Sequence, residues 1–262
     1  MTPAIIKVID QAPMLSRKLI EKISPESWGG IIDGTYAIIL TLLTIELPVQ
    51  ILHILDRLVE SAEDQTLLMV LGVKADIWFA MFNLIIGYFA VFIIIYDIWC
   101  SHRLVVGIEG RMPLKAILTS WTLFLCTLIP SLHYVVNAVR MKYVFTGAIA
   151  NSPVALELHI ARALEYPVIA IVYFFLFLQA ASDVTHLKGV NTPADEKDSL
   201  RYIARVSLSK SILAIIIFLG VEYVSSVNHG LRILWEAPAV LIAIALLTYV
   251  NIDLFRWLPR SR

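Results

Sequence analysis

The residues best placed to do chemistry in this chain lie close together, between Asp33 and Glu46. Gly34, Ile38, Thr41 and Ile45 recur every three or four residues, so on a helix they stack along one stripe. Gly30, Gly34, Ala37, Thr41 and Thr44 form an overlapping stripe of small side chains. Such a surface permits close helix approach in lipid, where packing drives association. Asp33 sits beside it at one end, and Glu46 lies on the opposite face toward the other. Two kinds of work fit this pattern. One is a helix–helix contact, and the other is the wall of an ion path faced by Ile38, Thr41 and Ile45.

The element carrying these residues is Gly29 to Leu52. About 20 apolar residues at roughly 1.5 Å each cover the hydrocarbon of a bilayer, so this run is long enough to cross one. The 262-residue chain is 59% hydrophobic and 16% charged, with 21 basic and 21 acidic residues. A soluble domain carries about 25% charged residues, so most of this chain belongs in lipid. Zero net charge argues against a nucleic-acid partner. Cys100 and Cys126 fit neither a disulfide framework nor a metal site. The six histidines (His53, His102, His133, His159, His186 and His229) are scattered and make no zinc pattern. There is no Gly-x-Ser-x-Gly turn, Walker loop or dinucleotide fingerprint. Nothing pairs a nucleophile with a base, so neither an enzyme nor a cofactor is expected.

Asp33 to Leu47, DGTYAIILTLLTIEL, resembles the first helix of the transmembrane protein 175 family of potassium channels. That family's signature reads Arg-x-x-x-Phe-Ser-Asp-Gly, then Ala, then Thr-Leu-Leu, often closed by an acidic residue. Asp33, Gly34, Ala37, Thr41, Leu42, Leu43 and Glu46 fall in register with it. Ser27 stands where the family has Arg, and Ile31 and Ile32 replace Phe-Ser. Trp99, His102 and Arg103 resemble the Trp, His and Arg that end the family's second helix. Trp121 to Ser131 resembles its third, which runs apolar into a proline, here Pro130. The resemblance, carried by motif over the first three spans, implies a homotetramer with the first helices at its axis. It implies a weakly potassium-selective channel without a Thr-Val-Gly-Tyr-Gly filter. Ile38 would form the narrowest ring, Ile45 a second apolar ring, and Thr41 a ring of hydroxyls between them. Asp33, Gly34 and Ala37 would support the pore helix, with Trp99 and His102 as partners at its cytoplasmic end.

Hydropathy predicts an all-α membrane protein with spans at about 31–54, 77–99, 114–136, 161–181, 203–224 and 234–254. An amphipathic segment at 1–28, without a cleavable signal pattern, precedes them, and a short tail at 257–262 follows. Residues 56–75 read as a partly polar connection. Thr192 and Asp195 read as a capping-box-like start to the helix of the fifth span. Lys and Arg concentrate in the first tail, the connections after spans two and four, and the last tail. That excess places both termini in the cytoplasm, and the resemblance, to the single-repeat bacterial branch of the family, implies a cell membrane of bacterial type. Asp33, Asp97, Arg162, Lys210 and Glu236 read as charges near the ends of their spans, with Arg162 free to snorkel or to pair with Glu165. That placement disfavours a secondary transporter, for which Asp33 is the candidate carboxylate. A non-conducting relative of the same fold is the remaining alternative, favoured by Ser27, Ile31 and Ile32.

Overall fold

The computed structural model describes residues 25–62, 67–107, 112–146, 153–186 and 194–227. They form five long helices: α1 (Pro25–Ala62), α2 (Leu67–Gly107), α3 (Met112–Thr146), α4 (Pro153–His186) and α5 (Ala194–Val227). Each contains a stretch long and apolar enough to cross a membrane, and the chain is a multi-pass membrane protein on that ground. The expected amphipathic segment, the Thr192 cap, the sixth span at 234–254 and the tail lie outside the described residues.

Each of the five helices covers one of the first five stretches that hydropathy marks and runs past both of its ends. α2 has 41 residues, about 60 Å of helix, well beyond the roughly 30 Å that hydrocarbon requires. Most of the expected 56–75 connection is therefore helical, because nothing in DRLVESA or LLMVLGVKA breaks a helix. Prolines lie inside three helices, Pro48 in α1, Pro130 in α3 and Pro167 in α4. Each removes one backbone donor, which neighbouring groups in a bundle can offset.

Sequential helices pack side by side, with the broadest contacts along α4–α5, α3–α4 and α1–α2. α5 follows α4 along its length and meets α2 only narrowly. The apolar core is shared by α1 to α4. Ile32, Tyr36, Ile39 and Leu43 of α1 pack on Leu84, Tyr88, Val91, Ile95 and Ile98 of α2, with Cys126 and Ile129 of α3 and Val172, Tyr173 and Leu176 of α4 behind them.

Polar side chains set the register of this bundle. Lys115 of α3 meets Asp183 of α4 at 2.9 Å, both buried. Further along the same two helices, His133 Nδ1 lies 2.8 Å from Glu165 Oε1, and Asn137 Nδ2 lies 2.9 Å from His133 Nε2. This fits the tautomer in which Nδ1–H donates to the carboxylate and Nε2 accepts from the amide. The imidazole also stands edge-on to the Tyr88 ring, with centroids 4.8 Å apart. Gly87 lets α2 approach that close: a Cβ there would sit 3.2 Å from the imidazole.

Arg162 and Glu165 take different partners from those expected. Glu165 faces His133 of α3, while Arg162 turns to Glu222 of α5 at 3.9 Å, where His159 also bonds the same carboxylate. Both side chains are buried between helices, so reaching across to a neighbour satisfies them better than pairing along their own helix.

Breaking a buried pair by removing one partner leaves an uncompensated charge and costs about 3–5 kcal/mol, whereas an apolar replacement of both is often neutral. Lys115→Met should therefore lower the thermal unfolding midpoint in detergent strongly. Lys115→Met/Asp183→Leu should recover most of the loss.

Candidate functional site

α1 has two unlike faces. Ile32, Tyr36, Ile39, Leu43 and Gln50 are buried against the other helices. The stripe singled out from sequence points the other way: Ile38 is 63% exposed and Ile45 58%, with Thr41 open between them. Gly34 and Ala37 are also exposed, and a Cβ at Gly34 would meet nothing within 4 Å. The small-residue stripe is thus not what packs α1 onto its own chain. The bulkier face bearing Tyr36 does that.

The exposed hydroxyls turn back on their own helix. Thr41 Oγ1 donates to the Ala37 carbonyl at 2.7 Å, and Thr44 Oγ1 to the Leu40 carbonyl at 2.8 Å. Thr35 does the same toward Ile31. A hydroxyl has one proton and two lone pairs, so one that has spent its proton on a carbonyl presents only acceptor capacity outward. The outer face of α1 therefore offers oxygen lone pairs set among branched apolar side chains. That chemistry suits a partly dehydrated cation and offers nothing to an anion.

Polar ties hold one end of α1. Trp99 of α2 donates its indole N–H to Asp33 Oδ1 at 2.8 Å, and Arg103 lies 3.5 Å from Asp33 Oδ2. Beneath them, the Tyr36 hydroxyl lies 3.2 Å from His102 Nδ1, and His102 Nε2 lies 3.4 Å from Thr119 of α3. Cys126 Sγ is 3.4 Å from the same hydroxyl. One proton arrangement satisfies the whole chain of contacts: Cys126 S–H donates to Tyr36, Tyr36 O–H to His102 Nδ1, and His102 Nε2–H to Thr119. All four side chains are buried.

Trp99 thus reaches the helix named from sequence through Asp33, while His102 reaches it through Tyr36. Nothing in the spacing of Tyr36, Thr119 and Cys126 marks them as partners, since they belong to separate helices. The resemblance carried an Arg at the position of Ser27. Here the basic group beside Asp33 is Arg103, contributed by α2.

Two charges expected near the ends of their spans lie within the apolar stretches instead. Asp97 falls inside Leu84–Gly107 and Lys210 inside Lys197–Gly220. They meet across α2 and α5, with Lys210 Nζ 2.5 Å from Asp97 Oδ2, and Tyr173 of α4 donates to the same oxygen at 2.8 Å. Among the described residues, no group of three His, Cys, Asp or Glu side chains is placed to hold a metal ion.

No family model, curated protein or solved structure matches this chain.

A hydrogen bond to a charged acceptor contributes about 1.5–3 kcal/mol when buried, and less where solvent reaches it. Trp99→Phe, beside a partly open Asp33, should destabilise the fold by about 1 kcal/mol. Arg103→Gln should change stability by less than about 1 kcal/mol, because its contact is solvent-exposed. Thermal unfolding of the two variants in detergent separates these effects.

Proposed function

We propose that the chain is the subunit of a homotetrameric, weakly potassium-selective cation channel. Ile38, Thr41 and Ile45 would line the path at the four-fold axis. The observation that carries this reading is the outward exposure of that stripe on a helix whose opposite face is packed and polar-anchored. A single helix cannot enclose a path, so a lining face must lie outside its own subunit, and closed cyclic symmetry brings four copies of it together.

In this arrangement the Ile38 side chains form the constriction and the Ile45 side chains a second apolar ring. An apolar constriction gates by dewetting and needs no charged filter. Between the rings, the Thr41 oxygens replace part of the ion's hydration shell. Removing water from sodium costs more than from potassium, and few oxygens offset the loss. The preference for potassium is accordingly modest. Six spans with both termini in the cytoplasm complete this reading, as does residence in a cell membrane of bacterial type.

Two alternatives receive less support. A transporter coupled through Asp33 needs a carboxylate free to exchange its ion, whereas Asp33 is engaged by Trp99 and Arg103. A non-conducting relative was favoured by the missing Arg at Ser27. Arg103 beside Asp33 supplies a basic partner there, and Ile32 packs in the core.

Passive flux through purified protein in liposomes under a potassium gradient tests the conclusion. Ile38→Asn should raise the flux roughly tenfold and reduce the preference over sodium, because a polar ring stays wet. No flux from either protein, folded and oligomeric, would reject the channel. Gly34→Leu offers a separate check on the assembly. The subunit has room for that side chain, so its helical content should stay unchanged while the tetramer dissociates in native mass spectrometry.

A further inference from the structure

Far from the Asp33 anchor, four helices bring polar side chains to one place. Glu46 stands about 20 Å of helix beyond Asp33 on α1. Tyr88 of α2 has Glu46, Asn137 of α3 and Glu165 of α4 around its hydroxyl, and Glu46 also lies near His133 of α3. His133 is bonded to Glu165 on one side and to Asn137 on the other. Two oxygens of the cluster are left over. Tyr88 is 3% exposed, and its hydroxyl completes no hydrogen bond. Glu46 is partly buried, but its Oε2 is enclosed and likewise has no partner. An enclosed carboxylate oxygen without a donor is among the costliest groups a protein can bury.

The charges around these oxygens do not balance. The tautomer that fits both bonds of His133 is the neutral imidazole, and Arg162 turns to Glu222. Among the described residues no lysine or arginine pairs with Glu46 or Glu165, so two carboxylates share this end of the bundle. The two unbonded oxygens belong to different helices and lie near one another without touching, as the ligands of a shared guest do. A water molecule would bridge them but leave both charges uncompensated. Calcium and transition metals call for more charged ligands than converge here, since no group of three His, Cys, Asp or Glu side chains does so among the described residues. A carboxylate oxygen beside a neutral hydroxyl suits a singly charged ion, and the enclosure restricts it to a small one.

We propose that Glu46 Oε2 and the Tyr88 hydroxyl bind one alkali cation, potassium or sodium, with Glu165 supplying the second negative charge. The ion ties α1 to α2 at the end where no side-chain hydrogen bond between them is found among the described residues. Gln50, one turn beyond Glu46 on the same helix, is buried as well, so this part of α1 presents its polar side chains inward. The partial exposure of Glu46 gives the ion its way in. This site lies on the packed side of α1, away from Ile38, Thr41 and Ile45. It rests on the geometry of one subunit and does not depend on the channel reading.

The test is thermal unfolding of the full chain in detergent, in chloride salts of potassium, sodium and N-methyl-D-glucamine at equal ionic strength. Potassium or sodium should raise the midpoint by about 3–5 °C over the organic cation, the shift for an ion at roughly ten times its dissociation constant. Glu46→Gln and Tyr88→Phe should each lose most of that difference. In N-methyl-D-glucamine, Glu46→Gln should unfold no lower than the parent, because it removes an uncompensated charge; a side chain that only packs would not behave so. Crystals soaked in thallium(I), a singly charged ion with strong anomalous scattering, locate the site without any variant. Anomalous density should lie between Glu46 and Tyr88. Midpoints independent of the cation overturn the proposal and leave water as the bridge, and an ion effect that both variants keep overturns it too. Density beside Thr41 alone supports the channel and rejects this site. Density between Glu46 and Tyr88, in a protein that passes no potassium in liposomes, supports the site and rejects the channel.

Discussion

A bilayer interior contains no water to satisfy a polar side chain, and that constraint accounts for most of this bundle's register. Apolar packing alone sets register weakly in lipid, because a leucine gains little by exchanging an acyl chain for another leucine. Buried Lys115, Asp183, His133, Glu165, Arg162 and Lys210 each need a partner at a particular height on a particular neighbour. Lys115–Asp183 and His133–Glu165 tie α3 to α4 at two levels, which fixes both their antiparallel alignment and their rotation. His159–Glu222 ties α4 to α5 in the same way. A one-residue slip in any of these helices would rotate a charge by about 100° into hydrocarbon.

α1 stands apart from that network. Among the described residues its side-chain hydrogen bonds to neighbouring helices gather at the Asp33–Tyr36 end, and Ile39 and Leu43 continue the contact through the apolar core. The anchoring fixes the azimuth of the helix, so the choice of which face looks outward is made by Asp33 and Tyr36. Inside the subunit a Cβ at Gly34 would meet nothing, and Ala37 is exposed, so packing within this chain does not require either to be small. This division of labour is what a lining helix requires. One face is specified rigidly by its own chain, and the other is left to an environment that its own chain does not supply.

Hydropathy made five spans readable because about 20 consecutive apolar residues have few other uses. The two faces of α1 were readable in part, since periodicity near 100° per residue assigns residues to stripes. Periodicity cannot say which stripe is inside, and in a membrane helix both stripes are apolar. The Asp33–Trp99 contact became visible only through the resemblance of short motifs. Asp97–Lys210, Lys115–Asp183 and His133–Glu165 were not readable at all, because each joins separate helices. Spacing along one chain reports only neighbours on the same helix, so for Arg162 it offers Glu165 or the membrane surface and not Glu222 of α5. The helices outrun the apolar stretches for a related reason: hydropathy measures where lipid ends, and a helix stops only where its backbone does.

The contrast between the two polar systems bears on how such a subunit could change state. The inner part of the α1 anchor is a chain of neutral donors and acceptors around Tyr36 and His102, buried and complete in one proton arrangement. Altering it would leave several buried groups unsatisfied together, so it favours a single conformation. The Asp97–Lys210 contact is a single ion pair on a narrow helix contact, with its carboxylate partly open. The outward face of α1 is therefore oriented by a network of its own, distinct from the ion pair that joins α2 to α5. Tyr173 stands between the two systems, donating to Asp97 and packing in the same cluster as Tyr36.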